Sequence, residues 1–121
     1  MKPIRSRPHG ILDYVTVVVF ALAPTILGLS GIAAALSYAL AVAHLVVTLV
    51  TDFELGVARV LRPTWHGWIE LVVSLVLLVS PWLLGFSDDA TARAFFIGMG
   101  VVILVVWFLT AYRSGEALRR A

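Results

Sequence analysis

Apolar residues fill four stretches of the chain, at 11–29, 32–51, 67–86 and 91–112, while polar residues gather at its ends and in the connections. Each stretch has close to the roughly 20 residues that an α-helix needs to cross a bilayer core. The pattern predicts four spanning helices. The first run is expected to stay in place as a span rather than be removed as a leader, because no small-residue cleavage site separates it from a second run of membrane length. Within the second stretch Ser37, Ala41, His44, Thr48 and Thr51 recur at spacings of four and three, which gives that helix one small and polar face. Polar residues in lipid turn toward other helices, so this face is expected to look inward. The fourth stretch has Ala94, Gly98, Val101, Val105 and Phe108 at the corresponding positions, an expected packing stripe. "GMG" at 98–100 follows no strand and is read as packing rather than as a nucleotide loop.

The pattern also repeats. A shift of 57 positions lays "HGILDYV" (9–15) on "HGWIELV" (66–72) and "LAPTILGLS" (22–30) on "VSPWLLGFS" (79–87). Each unit is a helical hairpin, repeat 1 at about 9–52 and repeat 2 at about 66–112, within a single transmembrane domain, 1–121. An even number of crossings per unit gives both units one orientation, related by a pseudo-two-fold axis along the membrane normal. The expected fold is therefore all-α: a four-helix transmembrane bundle of two tandem parallel helical hairpins.

"SPWLLGF", residues 80–86, lies near the outer end of the third helix and resembles the signature of the SPW-repeat family of small bacterial integral membrane proteins. The first hairpin has Ala23, Pro24 and Thr25 in place of that Ser, Pro and Trp, and is a degenerate copy. The resemblance implies an integral protein of the bacterial inner membrane and carries over no catalytic residue. The motif also has a physical reading of its own. Pro81 has no N–H to give the carbonyl of Leu77, and the Ser80 hydroxyl is at hand to satisfy a freed backbone group. Trp82 is placed to anchor the outer interface, and Trp65 and Trp68 the inner one.

Composition agrees with the pattern: 61% of the 121 residues are hydrophobic and 13% charged, and the mean hydropathy is +1.02. Cysteine is absent, which rules out disulfides, thiolate zinc, iron–sulfur clusters and covalently attached haem. The net charge of +2 invites a nucleic-acid reading, but the placement of the basic residues explains them without one. Lys2, Arg5 and Arg7 precede the first span, Arg59 and Arg62 lie in the middle connection, and Arg113, Arg119 and Arg120 follow the last; only Arg93 lies on the other side. The positive-inside rule then puts both termini and the middle connection in the cytoplasm. That connection is expected to hold a short interfacial amphipathic piece.

Candidate chemistry is confined to a few residues. His9 and Asp13, like His66 and Glu70, stand four apart and so share a helix face. The pseudo-symmetry should bring the two pairs together at the cytoplasmic mouth. His44 is expected to lie deeper, roughly 11 Å from the end of its helix at 1.5 Å per residue. Four readings compete: a structural lock between hairpins, a divalent metal on His9, Asp13, His66 and Glu70, a haem with axial ligands among His9, His44 and His66, and proton or ion transport. No nucleophile with a base, no phosphate loop and no zinc-protease spacing occurs, so the chain is not expected to be an enzyme. The expected function is that of a small accessory or assembly component, in lipid, as a homo-oligomer or within a larger membrane complex. A reporter active only in the cytoplasm should work when fused after Ala121 and fail when inserted at Asp88; the reverse result would refute the charge-based orientation.

Overall fold

The structure, a computed structural model, describes residues 6–110. Lys2, Arg5, Arg113, Arg119 and Arg120, on which much of the charge argument rests, lie outside the described residues, as do the last two positions of the fourth expected span. Four helices form: α1 (Ser6–Leu27), α2 (Gly31–Val50), α3 (Pro63–Leu83) and α4 (Ala90–Leu109). All four are long and apolar enough to cross a membrane. α1 packs along α2, α3 packs along α4, and α1 also meets α4. Large apolar side chains such as Val18, Leu22, Val42, Val72 and Val105 face outward, as they must where lipid is the solvent. This is an all-α four-helix transmembrane bundle.

The repeated Pro and Gly residues end α1 and α3 in the same way. Gly28 and Gly85 take φ of +66° and +80°, a left-handed conformation that costs glycine little. The amides that follow turn back, Leu29 N–H to the Pro24 carbonyl at 3.0 Å and Phe86 N–H to the Pro81 carbonyl at 2.8 Å. This is the Schellman closure, and its customary apolar contact is made by Leu29 and Phe86, both buried. The run from the proline to the residue after the glycine is therefore a helix terminator.

Each proline also frees the carbonyl four residues before it. In α3 the freed carbonyl is that of Leu77, and the Ser80 hydroxyl donates to it at 2.9 Å, as the motif predicts. In α1 the freed carbonyl is that of Phe20. Residue 23 is alanine, and the hydroxyl comes instead from Ser37 of α2, which donates at 2.6 Å. The degenerate copy has thus moved its hydroxyl to the facing helix.

The helix bounds correct the register of the second and fourth helices. Ser6 and Pro63 stand 57 apart, whereas Gly31 and Ala90 stand 59 apart, because the loop at 84–89 is longer than that at 28–30. Two residues amount to a rotation of about 200° on a helix. The stripe expected to pack, Ala94, Gly98, Val101, Val105 and Phe108, accordingly faces outward, and Ala92, Phe96, Gly100 and Ile103 are buried. Of the two glycines of "GMG" only Gly100 packs: a Cβ there would come within 2.9 Å of the Leu78 side chain, while Gly98 faces open space.

The interior has two halves. At the end where α1 and α3 finish, the outer end of the charge-based expectation, Phe20, Phe86, Phe95 and Phe96 form an aromatic plug, with ring centroids 5.1–5.7 Å apart. At the end where α1 and α3 begin, the inner end of that expectation, the buried side chains are mostly polar. The middle connection is a compact loop and not the expected amphipathic piece. Its amides satisfy the last carbonyls of α2: Val57 and Ala58 donate to Leu49, and Val60 and Leu61 to Val50, at 2.7–3.0 Å.

Ser37→Ala should destabilise the bundle by about 1–3 kcal/mol, the cost of an unpaired buried carbonyl. Adding Ala23→Ser should recover most of that loss by returning the hydroxyl to the place it holds at Ser80. Unfolding by SDS in mild detergent measures both; a double variant no more stable than Ser37→Ala would refute the exchange.

Candidate functional site

Helix lengths set the depth of the candidate residues. Asp13 lies seven residues in from Ser6, Glu70 seven in from Pro63, and His44 six back from Val50. At 1.5 Å per residue all three stand about 10 Å from the nearer ends of their helices, which lie at one end of the bundle. α1 and α3 also begin earlier than hydropathy predicts, so His9 and His66 sit inside them, one turn before the carboxylates. His44 is level with the carboxylates and, as expected, about one turn deeper than His9 and His66. All five side chains converge.

His9, Asp13, His66 and Glu70 are at most 4% exposed. His9 Nε2 lies 3.2 Å from Asp13 Oδ1 and 3.1 Å from Glu70 Oε2. His66 Nε2 lies 3.1 Å from Asp13 Oδ2 and 3.6 Å from Glu70 Oε1. His44 Nε2 lies 3.1 Å from Asp13 Oδ1 and 3.6 Å from Glu70 Oε1. Each imidazole thus turns its Nε2 toward both carboxylates.

The far sides of two rings fix their tautomers. Thr51 Oγ1 donates to the Val47 carbonyl at 2.6 Å and lies 2.7 Å from His66 Nδ1. A hydroxyl has one proton, and with that proton on Val47 the oxygen must accept from the histidine. Thr110 repeats the arrangement, donating to Val106 at 2.6 Å and lying 3.0 Å from His9 Nδ1. His9 and His66 therefore carry their protons on Nδ1, and a neutral ring presents an Nε2 lone pair to the carboxylates. Lone pair against carboxylate oxygen at 3.1 Å is repulsive unless a cation lies between them or Nε2 is itself protonated. Asp13 Oδ2 is buried with no hydrogen-bond partner among the described residues.

The middle loop is seated on the same end of the bundle. Tyr14 donates to the Leu55 carbonyl at 2.7 Å. The Phe53 ring lies so close to Gly10 that a Cβ at that position would overlap it. Glycine is required at position 10 by this approach, and Thr51, the first residue of the loop, is also the one that holds His66.

A family model for the SPW repeat domain matches residues 7–110, nearly the whole described chain. The chain belongs to the SPW repeat family. No curated protein and no solved structure matches it. In this SPW repeat protein the signature and the cluster are separate: Ser80, Pro81 and Trp82 lie in the last turn of α3, and the polar cluster lies toward the opposite end of the bundle.

Of the residues singled out from sequence, His9, Asp13, His66 and Glu70 come together as the repeat predicts, with one ligand atom from each within 4.8 Å of the others. His44 joins them. Thr110 is the residue that sequence reasoning missed. Thr51 and Thr110 each follow a 20-residue helix as its C-cap, so the 59-residue register would have paired them where a 57-residue shift does not.

Thr51→Val should remove the acceptor of the His66 Nδ1–H and cost about 1–3 kcal/mol, as should Thr110→Val for His9. Thermal unfolding in detergent tests this, with exposed Thr91→Val as the neutral control; variants as stable as the control would refute the assigned tautomers.

Proposed function

We propose that this protein is a non-enzymatic integral membrane protein that holds one divalent metal ion between its two hairpins, on His9, Asp13, His66 and Glu70. The observation that carries the reading is the proton arrangement: Thr51 and Thr110 accept from Nδ1, so both histidines aim Nε2 at a pair of buried carboxylates. Histidines that ligate metals through one nitrogen commonly donate from the other to such an outer partner.

Distances support it as well. Ligand atoms about 2.1 Å from a common ion and about 90–120° apart stand about 3.0–3.6 Å from one another. The nitrogen-to-oxygen separations in the cluster run from 3.1 to 3.6 Å. Charge supports it too, since one divalent ion balances two carboxylates in a medium where an unbalanced charge is costly. The geometry favours a bare ion over haem, because the carboxylates occupy the space between the imidazoles and the adjoining cleft measures about 40 Å³.

A second reading shares the geometry. Two protons on Nε2 of His9 and His66 would balance the same two carboxylates, and the cluster would be an ionic lock between the hairpins. In either case the chain acts as a small component of the bacterial inner membrane, with both termini in the cytoplasm, its two hairpins copies related by a pseudo-two-fold axis. Assembly with further copies or within a larger membrane complex accords with its small extramembrane mass.

Protein purified in mild detergent should carry about one equivalent of a divalent transition metal by elemental analysis, or take up one equivalent of added Zn²⁺, and should have no Soret band. Asp13→Asn with Glu70→Gln should abolish uptake. Folded wild-type protein that neither carries metal nor binds Zn²⁺ would refute the metal reading and leave the lock.

A further inference from the structure

The metal reading uses two histidines, and the chain places a third, partly buried, beside them. His44 Nε2 stands 3.1 Å from Asp13 Oδ1, the oxygen that His9 Nε2 faces at 3.2 Å. It stands 3.6 Å from Glu70 Oε1, the oxygen that His66 Nε2 faces at the same 3.6 Å. Its ring meets that of His66 edge to face, with centroids 6.3 Å apart. Toward the two carboxylates His44 is therefore placed as the other two imidazoles are.

Nothing in the repeat demands this residue. In the 59-residue register the α4 residue corresponding to His44 is Ile103, apolar and buried. A lock of two hairpin copies needs one histidine and one carboxylate from each, and the chain has these in His9 with Asp13 and His66 with Glu70. His44 also borders a cleft of about 40 Å³ between α2 and α3, whose wall is otherwise apolar except for Glu70. Beyond Glu70 the lining of the cleft supplies no polar side chain to hold the imidazole, and its volume is enough for a water molecule. His44 closes the cluster on the side where the bundle is open.

On the basis of the metal reading, we propose that His44 is a third nitrogen ligand, so that the centre consists of three imidazoles and two carboxylates and selects a borderline divalent transition ion, such as Zn²⁺ or Fe²⁺, over Mg²⁺ and Ca²⁺. Imidazole nitrogen is the ligand that separates these classes, because the hard cations prefer an all-oxygen shell. With two nitrogens the preference is moderate, and the third strengthens it. The competing role is narrower: His44 hydrogen-bonds Asp13 and only orients it.

His44→Gln separates the two roles, since a glutamine amide can donate from nearly the place of Nε2 but is a poor ligand for Zn²⁺. Zn²⁺ affinity of the full chain in detergent is measured against a competing chelator, with excess Mg²⁺ as a second competitor. His44→Leu is measured alongside, and thermal unfolding of each metal-free variant reports folding. The expected result is a loss of Zn²⁺ affinity beyond the roughly 10–100-fold typical of an outer-shell partner, in both variants, with weaker discrimination against Mg²⁺. Cu²⁺-loaded wild type should show hyperfine coupling to three imidazole nitrogens by electron paramagnetic resonance, and His44→Gln to two. Zn²⁺ affinity within about tenfold of wild type in folded His44→Gln, or two nitrogens in both proteins, would overturn the proposal while leaving the metal reading intact. A wild-type protein that binds no Zn²⁺ would overturn both.

Discussion

Two carboxylates buried about 10 Å inside an apolar bundle are the constraint around which the inner half of this protein is organised. Asp13 and Glu70 cannot stay charged there without positive charge and hydrogen-bond donors close at hand, because desolvation costs several kcal/mol per ion. Three imidazoles supply the surroundings, two from the same helices one turn away and one from α2. Two threonines at the C-caps of α2 and α4 hold the far nitrogens. The cluster therefore reaches into every helix. Each contributes a side chain that is poorly satisfied until the others arrive, and such a network favours one arrangement of the hairpins over its neighbours.

The outer half is governed by the backbone version of the same rule. Lipid offers no hydrogen bonds, so a carbonyl freed by proline must find a donor within the protein. Two solutions coexist in one chain: Ser80 serves Leu77 within α3, and Ser37 serves Phe20 from across the helix pair. The second adds a polar bond between α1 and α2 where the first adds none between α3 and α4. Phe96 stands at the α4 position that corresponds to Ser37, and its ring fills the aromatic plug against Phe86 and Phe95. At this register position α2 thus carries the hydroxyl and α4 the ring.

The loop of residues 51–62 ties the two rules together. Its amides complete α2, its Phe53 rests on Gly10, and its first residue holds the His66 ring. A segment that would otherwise be a plain connection is part of the support of the cluster. Its seat on α1 lies one residue from His9.

Much of this was determined by sequence alone. Apolar runs of membrane length fix four helices, because in lipid the helix is the available way to pair every backbone group of an isolated span. The repeat of a histidine and an acid four apart brings His9 level with His66 and, one turn on, Asp13 level with Glu70, because equal offsets from equal helix starts are equal heights. The signature announces a proline that needs a hydroxyl. The tertiary structure alone decided what depends on where helices begin and how they rotate. Hydropathy started α1 and α3 too late, since it scores buried polar residues such as His9 and His66 as if they faced lipid. The longer loop at 84–89 turned α4 by two residues and exchanged its buried and exposed faces. His44 and Thr110 entered the cluster for the same reason: a side chain's partners are set by the meeting of helix depths and rotations, and a one-dimensional pattern carries the first only approximately and the second only when its register is right.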